Sequence, residues 1–364
     1  MNSRERVLSA LERREPDRVP IGEYGLGSHP FLVKWLEHFQ TKDIESVKKK
    51  LGIDTREFSV FWHSPDQFRN RAVFTPELVA PWGIEVAPET YEDEWGIQRK
   101  LGADRNLGYV VKHPLADVES LSEYILPDPE ESTRFDSLED GIRRFKENYA
   151  IVVEIMTMFT MAWYLRGFRR LMVDFYGNPK FVEDLMERLL DFDLKMGRIC
   201  VELGADLIMI SGDVATQTGM MLSPSLWKRY LKYEAELVHG LKVKGGIHII
   251  RHTDGNCMSI IKDLIDIGVD VLNPVQPDCM DPAQVKKSYG ERIALYGGIS
   301  VQETLPFGTI EDVVREVELR IRTCAPGGGF IIAPSNDVME DVDVRNALAL
   351  YETAMRRGCY PINV

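Results

Sequence analysis

The chain has 364 residues, of which 44% are hydrophobic and 28% charged. It can therefore bury a large core, and its length suggests one large domain or two domains of ordinary size. Its formal net charge of -13 at pH 7 argues against a nucleic-acid-binding surface, because neutralising phosphates requires clustered Lys and Arg. No apolar run approaches the roughly 20 residues that span a bilayer, and the charged start of the chain predicts an amphipathic helix rather than a signal peptide. We therefore expect a cytoplasmic protein without nucleic-acid or membrane partners.

Short apolar runs rich in β-branched residues alternate with longer helical patterns along the chain. The runs predict eight strands, at residues 18–22, 58–62, 150–155, 207–211, 246–251, 269–273, 293–296 and 330–333. Apolar residues at helical spacing predict helices at 181–203, 224–241, 259–267, 282–289 and 310–323. Eight such units favour closure into an α/β (β/α)8 TIM barrel. An open doubly wound sheet is the alternative, but no Gly-x-Gly-x-x-Gly loop follows the first strand.

Residues 79–112 depart from this alternation. They contain Trp82-Gly83-Ile84-Glu85-Val86 and Asp93-Glu94-Trp95-Gly96-Ile97, which predict short hairpin strands between the second and third barrel strands. This insertion is expected to form a rim or lid. The sequence thus predicts one domain over residues 1–364, a TIM barrel with an N-terminal helical extension and a small hairpin insertion.

Polar side chains follow most of the predicted strands, at the end where TIM barrels place their catalytic residues. They are Glu23, Tyr24, Ser28 and His29 after the first strand, Glu154 in the third, Asp213 and Gln217 after the fourth, His252, Asp254 and Asn256 after the fifth, Asn273 and Gln276 at the sixth, Ser300 after the seventh, and Ser335, Asn336 and Asp337 after the eighth. We predict that they line one substrate site. Asn256 could equally cap the next helix, and Asp337 and Ser223 are expected to be helix caps.

Four residues, His252, Asp254, Glu154 and Asp213, are the catalytic candidates. Glu154 lies in an otherwise apolar run, and a buried carboxylate is costly unless it is paired or metal-bound. The four could hold Zn²⁺ or another divalent ion, or act as a general acid and base pair, and the sequence does not separate these roles. The alternative for Glu154 is that it reaches solvent or pairs with an arginine such as Arg166.

Five cysteines lie far apart with no Cys-x-x-Cys pair, which predicts reduced thiols rather than disulfides. His252 and Asp254 are the predicted metal ligands, with Glu154 or Cys279 as a candidate third.

An apolar stretch follows the third strand. Met156, Phe159 and Trp163 are predicted to form a wall for a large flat ligand, because methionine adapts to irregular surfaces. Ordinary core packing is the alternative explanation for these residues.

Several short motifs occur in order along nearly the whole chain. They are Arg4-Glu5-Arg6-Val7, Pro16-Asp17-Arg18-Val19-Pro20, Asp93-Glu94-Trp95-Gly96, Gly212-Asp213 with Gln217-Thr218-Gly219 and Ser223-Pro224, His252-Thr253-Asp254-Gly255-Asn256, Tyr296-Gly297-Gly298-Ile299 and Gly327-Gly328-Gly329-Phe330. In these motifs the chain resembles the uroporphyrinogen decarboxylase superfamily, a (β/α)8 barrel group that includes true decarboxylases and zinc- and corrinoid-dependent methyltransferases.

Two departures from that group narrow the function that the resemblance implies. True decarboxylases carry an arginine-rich segment after the first strand to grip the carboxylates of the porphyrinogen, whereas Glu23 and Tyr24 occupy that place here, which disfavours such a substrate. Thiol-methylating members bind zinc through His-x-Cys and a later Cys. Here Asp254 follows His252 in place of the first cysteine and Asn336 stands near the second, which implies a harder, weaker metal site or no metal.

The resemblance implies a corrinoid-linked methyltransferase that moves a methyl group between a small O-, N- or S-methyl compound and cobalamin on a partner corrinoid protein. His252, Asp254 and Glu154 would activate the donor heteroatom by protonation or through a divalent metal, with Zn²⁺ as the first candidate. The alternatives are a decarboxylase or lyase acting on a tetrapyrrole or smaller carboxylate, with Asp213 or Asp254 stabilising a protonated intermediate, and a non-catalytic corrinoid or tetrapyrrole binder. Relatives are often dimers, so a homodimer is also expected. The donor and the direction of transfer stay open.

Overall fold

A computed structural model describes residues 1–60, 84–101, 108–117 and 119–362, apart from the side chains of His29, Ile84 and Leu101. The strands in these ranges are β1 (Thr55–Ser59), β2 (Ile84–Ala87), β3 (Thr90–Glu92), β4 (Gln98–Leu101), β5 (Gly108–Lys112), β6 (Ala150–Met156), β7 (Leu207–Ser211), β8 (Ala215–Thr216), β9 (Gly219–Met220), β10 (His248–His252), β11 (Val271–Val275), β12 (Ala294–Ile299) and β13 (Phe330–Pro334). The helices are α1 (Ser3–Leu11), α2 (His29–His38), α3 (Ile44–Lys50), α4 (Asp136–Phe145), α5 (Met158–Arg166), α6 (Phe168–Gly177), α7 (Pro179–Leu203), α8 (Pro224–Lys242), α9 (Ile261–Asp266), α10 (Pro282–Tyr289), α11 (Thr304–Phe307), α12 (Ile310–Cys324) and α13 (Val344–Arg357).

A curled parallel sheet of seven strands, in the order β1-β6-β7-β10-β11-β12-β13, forms the centre of the fold. Six of these strands lie within two or three residues of the predicted runs, and β7 matches its prediction in full. The strand predicted at 58–62 begins three residues earlier, as β1, and residues 61 and 62 lie outside the described ranges. The α/β, TIM-barrel-like fold predicted from the alternation is confirmed.

The predicted first strand, 18–22, is not a strand. It makes only isolated β-bridges, between Arg18 and Cys359 and between Ile21 and Ile332. Pro20 in its middle has no N–H, so the segment cannot make the continuous hydrogen bonds of a strand. The Asp54 amide nevertheless donates to the Ile21 carbonyl at 2.7 Å, and Ile21 also contacts β13. The segment therefore links the two edge strands of the sheet, β1 and β13.

The helices cover the outside of the sheet. The five predicted helices are present as α7, α8, α9, α10 and α12, with α9 preceded by a short 3₁₀ turn at Met258–Ile260. No helix in the described part of the chain is long and apolar enough to cross a membrane. All five cysteines are free thiols.

Alternate residues of the parallel strands point to the inside of the curled sheet. There they form an apolar cluster with Val7 and Leu11 of α1, and its strand members include Val152, Met209 and Ile250. Side chains alternate along a strand, so residues two positions apart point to the same side. Glu154, Ser211 and His252 follow Val152, Met209 and Ile250 by two positions and therefore also point to the inside of the sheet. The interior is thus apolar at one end and polar at the carboxyl ends of the strands.

The insertion forms a four-stranded antiparallel sheet, β2-β3-β4-β5, and residues 79–83 and 102–107 of this region lie outside the description. The strand predicted at 93–97 is wrong, because this segment is the turn between β3 and β4. Asp93 Oδ1 accepts the amide hydrogens of Trp95 and Ile97, each at 3.0 Å, and Gly96 has φ +74°. An aspartate that holds nearby backbone amides favours a turn over a strand.

Candidate functional site

His252 is the last residue of β10, and its ring is buried at the polar end of the sheet interior. Its Nδ1 lies 2.8 Å from Asn273 Oδ1, so in the assigned amide orientation Nδ1 carries the proton that is donated to Asn273. Nε2 is then the unprotonated nitrogen, and it lies 4.0 Å from Asp213 Oδ1. An imidazole held in this tautomer can bind a metal or accept a proton.

Two carboxylates, Asp213 and Asp254, lie beside this nitrogen. The Asp254 amide donates to Asp213 Oδ1 at 2.8 Å, and Asn336 Nδ2 donates to Asp254 Oδ2. Asp254 Oδ1 is buried and has no hydrogen-bond donor among the described residues. One potential ligand atom each from Asp213, His252 and Asp254 lies within 4.8 Å of the others. We call these three residues the His252 group.

The loop between β10 and α9 packs tightly around this group. Gly255 has φ +85°, and a Cβ at this position would lie 2.4 Å from the Thr216 carbonyl oxygen, so only glycine fits. The Gly255 amide donates to Gln276 Oε1 at 3.0 Å. Gln276 therefore holds the backbone that carries Asp254.

Burial raises the pKa of Asp254 to about 6; Asp213 adds to the rise and His252 opposes it. The carboxyl thus loses its proton only near neutral pH. A cation bound beside Asp254 would favour the ionised form. A donor set of one imidazole and two carboxylates, with one carboxylate oxygen unsatisfied, fits a divalent ion that accepts nitrogen and oxygen ligands.

Neither Glu154 nor Cys279 belongs to the His252 group, and Asp213 is the third member. Burial and the nearby Asp278 and Asp254 carboxylates raise the pKa of the Cys279 thiol, which disfavours the thiolate needed for a metal ligand. The predicted alternative partner of Glu154 is also wrong, because Arg166 Nε donates to Asp174 at 2.7 Å.

A cavity of about 340 Å³ lies next to the His252 group. Its lining is Glu23, Tyr24, Gly25, Leu26, Gly27, Leu32, Ile44, Lys48, Glu57, Glu154, Met209, Ser211 and Asp337. The His252 group is not part of this lining, but Tyr24 contacts both regions, because its ring centroid lies 5.1 Å from that of His252. We call this space the Tyr24 cavity.

Glu57 is held inside the Tyr24 cavity by Tyr296, whose hydroxyl donates to Glu57 Oε1 at 2.7 Å and accepts from the Tyr24 amide at 3.0 Å. Burial and the neighbouring Glu23 and Glu154 raise the pKa of Glu57 to about 8, although the Tyr296 hydrogen bond opposes this. Glu57 is therefore largely protonated at neutral pH. Glu23 instead forms an ion pair with Lys48.

Other predicted substrate-binding residues have structural partners. Asn256 Oδ1 accepts from the Met258 amide at 3.2 Å, a turn hydrogen bond, whereas the residues at the N-cap positions of the 3₁₀ turn and of α9 are Cys257 and Ile260. Gln217 lies exposed at the tip of the β8–β9 hairpin, where its Nε2 donates to Gln302 Oε1 at 2.9 Å. Asn336 positions Asp254. The side chain of His29 lies outside the description.

The apolar wall predicted after the third strand is divided between core and surface. Phe159 is buried and stacks on Phe175 with ring centroids 6.3 Å apart, so it packs between helices rather than against a ligand. Met156 and Trp163 are half-buried at the edge of the core, and Trp163 contacts Tyr164 with ring centroids 4.1 Å apart. None of the three lines the Tyr24 cavity.

The sequence does not predict Glu57, Lys48, Tyr296 or Ser211 as site residues, and it predicts Asp337 both as one of the strand-end polar residues and as a helix cap. Asp343, not Asp337, caps α13, whereas Ser223 caps α8 as expected. The alternation of side chains along the strands was the missed signal. It places Glu57 and Tyr296 inside the sheet, but recognising this requires the correct strand boundaries.

The sequence profile of the family described as Uroporphyrinogen decarboxylase (URO-D) matches residues 92–357. The Methylcobamide:CoM methyltransferase MtaA of Methanosarcina barkeri is 28% identical over 173 residues, which are 46% of this chain and 48% of that protein. The Uroporphyrinogen decarboxylase of Thermus thermophilus is 28% identical over 189 residues, or 49% of this chain and 52% of that enzyme. The chain thus matches about half the length of these curated relatives.

The solved structure of a methyltransferase from Methanosarcina mazei has the same fold. It superposes with a TM-score of 0.72 over 98% of this chain and 99% of that chain, at 17% sequence identity. The profile match covers most of the chain, from the insertion to the end of α13. The protein belongs to the uroporphyrinogen decarboxylase family.

Proposed function

We propose that the protein is a corrinoid-linked methyltransferase, which moves a methyl group between a small methylated compound and cobalamin carried by a partner protein. The observation that carries the proposal is the His252 group beside the Tyr24 cavity. Removing a methyl group from a neutral heteroatom requires making that atom a better leaving group, which an acid or a bound cation does. The partial likeness to a methylcobamide methyltransferase supports this chemistry.

The residues of the His252 group have separate roles in this proposal. His252 Nε2, Asp213 and Asp254 would hold a divalent metal, which when bound supplies a Lewis acid for the donor heteroatom. Asn273 fixes the His252 tautomer, and Asn336 leaves Asp254 Oδ1 free by occupying Oδ2. Without a metal, the Asp254 carboxyl, with its pKa of about 6, would provide the proton instead.

The oxygen-rich donor set also bears on which metal is preferred. Carboxylates are harder ligands than the thiolates that Zn²⁺ accepts in tightly bound sites. We therefore propose that Zn²⁺ binds more weakly here than in a site with two thiolates, and that other divalent transition metals compete with it.

Purified protein mixed with cob(I)alamin and a panel of O-, N- and S-methyl compounds tests the proposal through the absorbance change on methylation of the corrinoid. We expect one class of donor to react, and His252→Ala to slow the reaction about a hundredfold or more. His248→Ala is the matched control, because His248 begins the same strand at the opposite end. The proposal fails if no donor reacts, or if both variants behave alike.

Decarboxylation of a porphyrinogen is the less favoured function. The curated decarboxylase relative shares half the chain, but four carboxylates and no arginine line the described Tyr24 cavity. A polycarboxylate substrate would meet repulsion there. Turnover of uroporphyrinogen by the purified protein would overturn this ranking.

A further inference from the structure

Negative charge exceeds positive charge in the Tyr24 cavity. Glu23, Glu57, Glu154 and Asp337 line it, and Lys48 is the one basic side chain among its lining residues. Lys48 is paired with Glu23, and Glu57 is largely protonated at neutral pH, so the unbalanced negative charge rests on Glu154 and Asp337. Within the described residues, no hydrogen-bond donor reaches the carboxylates of Glu154 and Asp337. The carboxylates of Glu154 and Asp337 therefore face the cavity without a hydrogen-bond donor from the described residues.

Ser211 is an independent sign that a ligand completes this cavity. It is 7% exposed, ends β7, and points to the interior in register with Leu207 and Met209. Its hydroxyl lines the cavity and has no hydrogen-bond partner in the described parts of the chain. The hydroxyl opens onto the cavity, where a polar ligand would hydrogen-bond to it.

Tyr24 provides the third feature, an aromatic ring on the cavity wall. The ring shares this cavity with the carboxylates of Glu154 and Asp337. Aromatic faces attract cations, and this attraction grows where water is excluded.

We propose that the Tyr24 cavity binds the positively charged nitrogen of a small N-methylated ammonium compound, and that this compound is the methyl donor. The second half of the proposal rests on the methyltransferase function proposed above. Glu154 and Asp337 supply the charge, Tyr24 the aromatic face, and Ser211 an acceptor for an N–H where the ammonium has one. A volume of about 340 Å³ limits the ligand to a small molecule.

An ammonium nitrogen also suits the proposed transfer. The C–N bond breaks with its electron pair going to nitrogen, so the cation leaves as a neutral amine and needs no further proton. The cobalt(I) of the corrinoid supplies the electron pair of the new bond to the methyl carbon. Charge and atoms balance without another reactant, and the His252 group is then free to orient the donor or the corrinoid.

The binding half of the proposal is tested without any corrinoid. Isothermal titration of the purified full-length protein compares choline, trimethylammonium and the uncharged carbon isostere of choline, in which carbon replaces the nitrogen. We expect the cations to bind at least about tenfold more tightly than the isostere, a difference typical of one favourable charge interaction. Equal or tighter binding of the isostere, or no binding of either cation, would overturn the proposal.

Two variants locate the binding. Glu154→Gln and Asp337→Asn keep the side-chain shape and remove the charge, so each should weaken choline binding about tenfold and leave the isostere unaffected. Glu187→Gln, on the exposed face of α7, is the matched control for losing one surface charge and should leave binding unchanged. If neither cavity variant differs from Glu187→Gln, the cation does not bind in this cavity. Circular dichroism shows whether a variant has misfolded. If one has, the difference between cation and isostere binding to the wild-type protein still tests the proposal.

The two proposals can fail separately. If choline or trimethylammonium binds but no methyl group reaches cob(I)alamin from any donor, the cation site stands and the methyltransferase function fails. If an uncharged O- or S-methyl compound reacts while ammonium compounds neither bind nor react, the function stands and the inference about the donor is wrong.

Discussion

His252 and Asn273 end neighbouring parallel strands in register, and the His252 Nδ1 lies 2.8 Å from the Asn273 Oδ1. Both side chains are buried, and the amide nitrogen of Asn273 has no partner in the described residues. Asn273 therefore orients the imidazole and leaves the other ring nitrogen to face Asp213. Partners of this kind fix the tautomer and raise the basicity of a metal-binding histidine.

Replacing Asn273 by alanine should lower divalent-metal affinity about tenfold to a hundredfold, the usual cost of losing such a partner. Competition with a chromophoric chelator measures it. Asn273→Asp keeps an acceptor at the same place and should retain most of the affinity. Asn256→Ala, which removes only a turn hydrogen bond, is the control. If the Ala and Asp variants lose affinity equally, Asn273 does not act through His252.

The sequence could predict this pair only in part. The sequence predicts His252 and Asn273 as site residues because each lies at the end of a β-branched run, where TIM barrels place catalytic residues. Their contact depends on strand register, which is set by tertiary packing and not by either run alone. For the same reason Glu154 was grouped with His252 and Asp254, although the structure puts it in the neighbouring cavity.

Asp254 determines the hardness of the proposed metal site. Asp254→Cys should raise Zn²⁺ affinity at least about tenfold, because a thiolate is a softer donor that zinc favours. Asp254→Asn should lower it, since the amide carries no charge. Both are measured by the same chelator competition, with Mn²⁺ as the comparison ion, for which the Cys variant should bind no better. A Cys variant with unchanged Zn²⁺ affinity would show that residue 254 is not a ligand.

A substitution at Phe159 distinguishes between core packing and ligand binding for the segment after β6. Because its ring is buried against Phe175, Phe159→Ala should cost about 3–5 kcal/mol in the free energy of unfolding. Trp163→Ala should cost less, since Trp163 is only half-buried. Urea unfolding monitored by circular dichroism gives both values. A Phe159→Ala protein as stable as the wild type would restore the ligand-wall interpretation.

The helices and most of the sheet could be predicted because each carries its own periodic pattern. The segment at 18–22 could not, since its apolar composition resembles a strand while Pro20 prevents a full ladder. Glu57 was missed because β1 begins earlier than its apolar run indicated. Glu57 therefore lies outside the predicted run, and its position on the interior face of the sheet could not be inferred from that run.

Glu57 gives the protein a stability that depends on pH. Its pKa is raised from 4.5 to about 8, so between these values the folded protein holds a proton that the unfolded chain releases. Stability conferred by the protonated group is therefore lost as pH rises through this window, and the loss is complete above about pH 8. The charged groups that face Glu57 are Glu23, Lys48 and Glu154, with the Tyr296 hydroxyl as its donor.

Glu57→Gln should remove this dependence, because glutamine resembles the protonated acid and can still accept from Tyr296. Melting temperatures of the two proteins should be close at about pH 5, and the variant should gain several degrees over the wild type by about pH 9. Glu187→Gln controls for the loss of a charge alone. A difference in melting temperature that does not change with pH would show that the pKa of Glu57 is not raised in the folded protein.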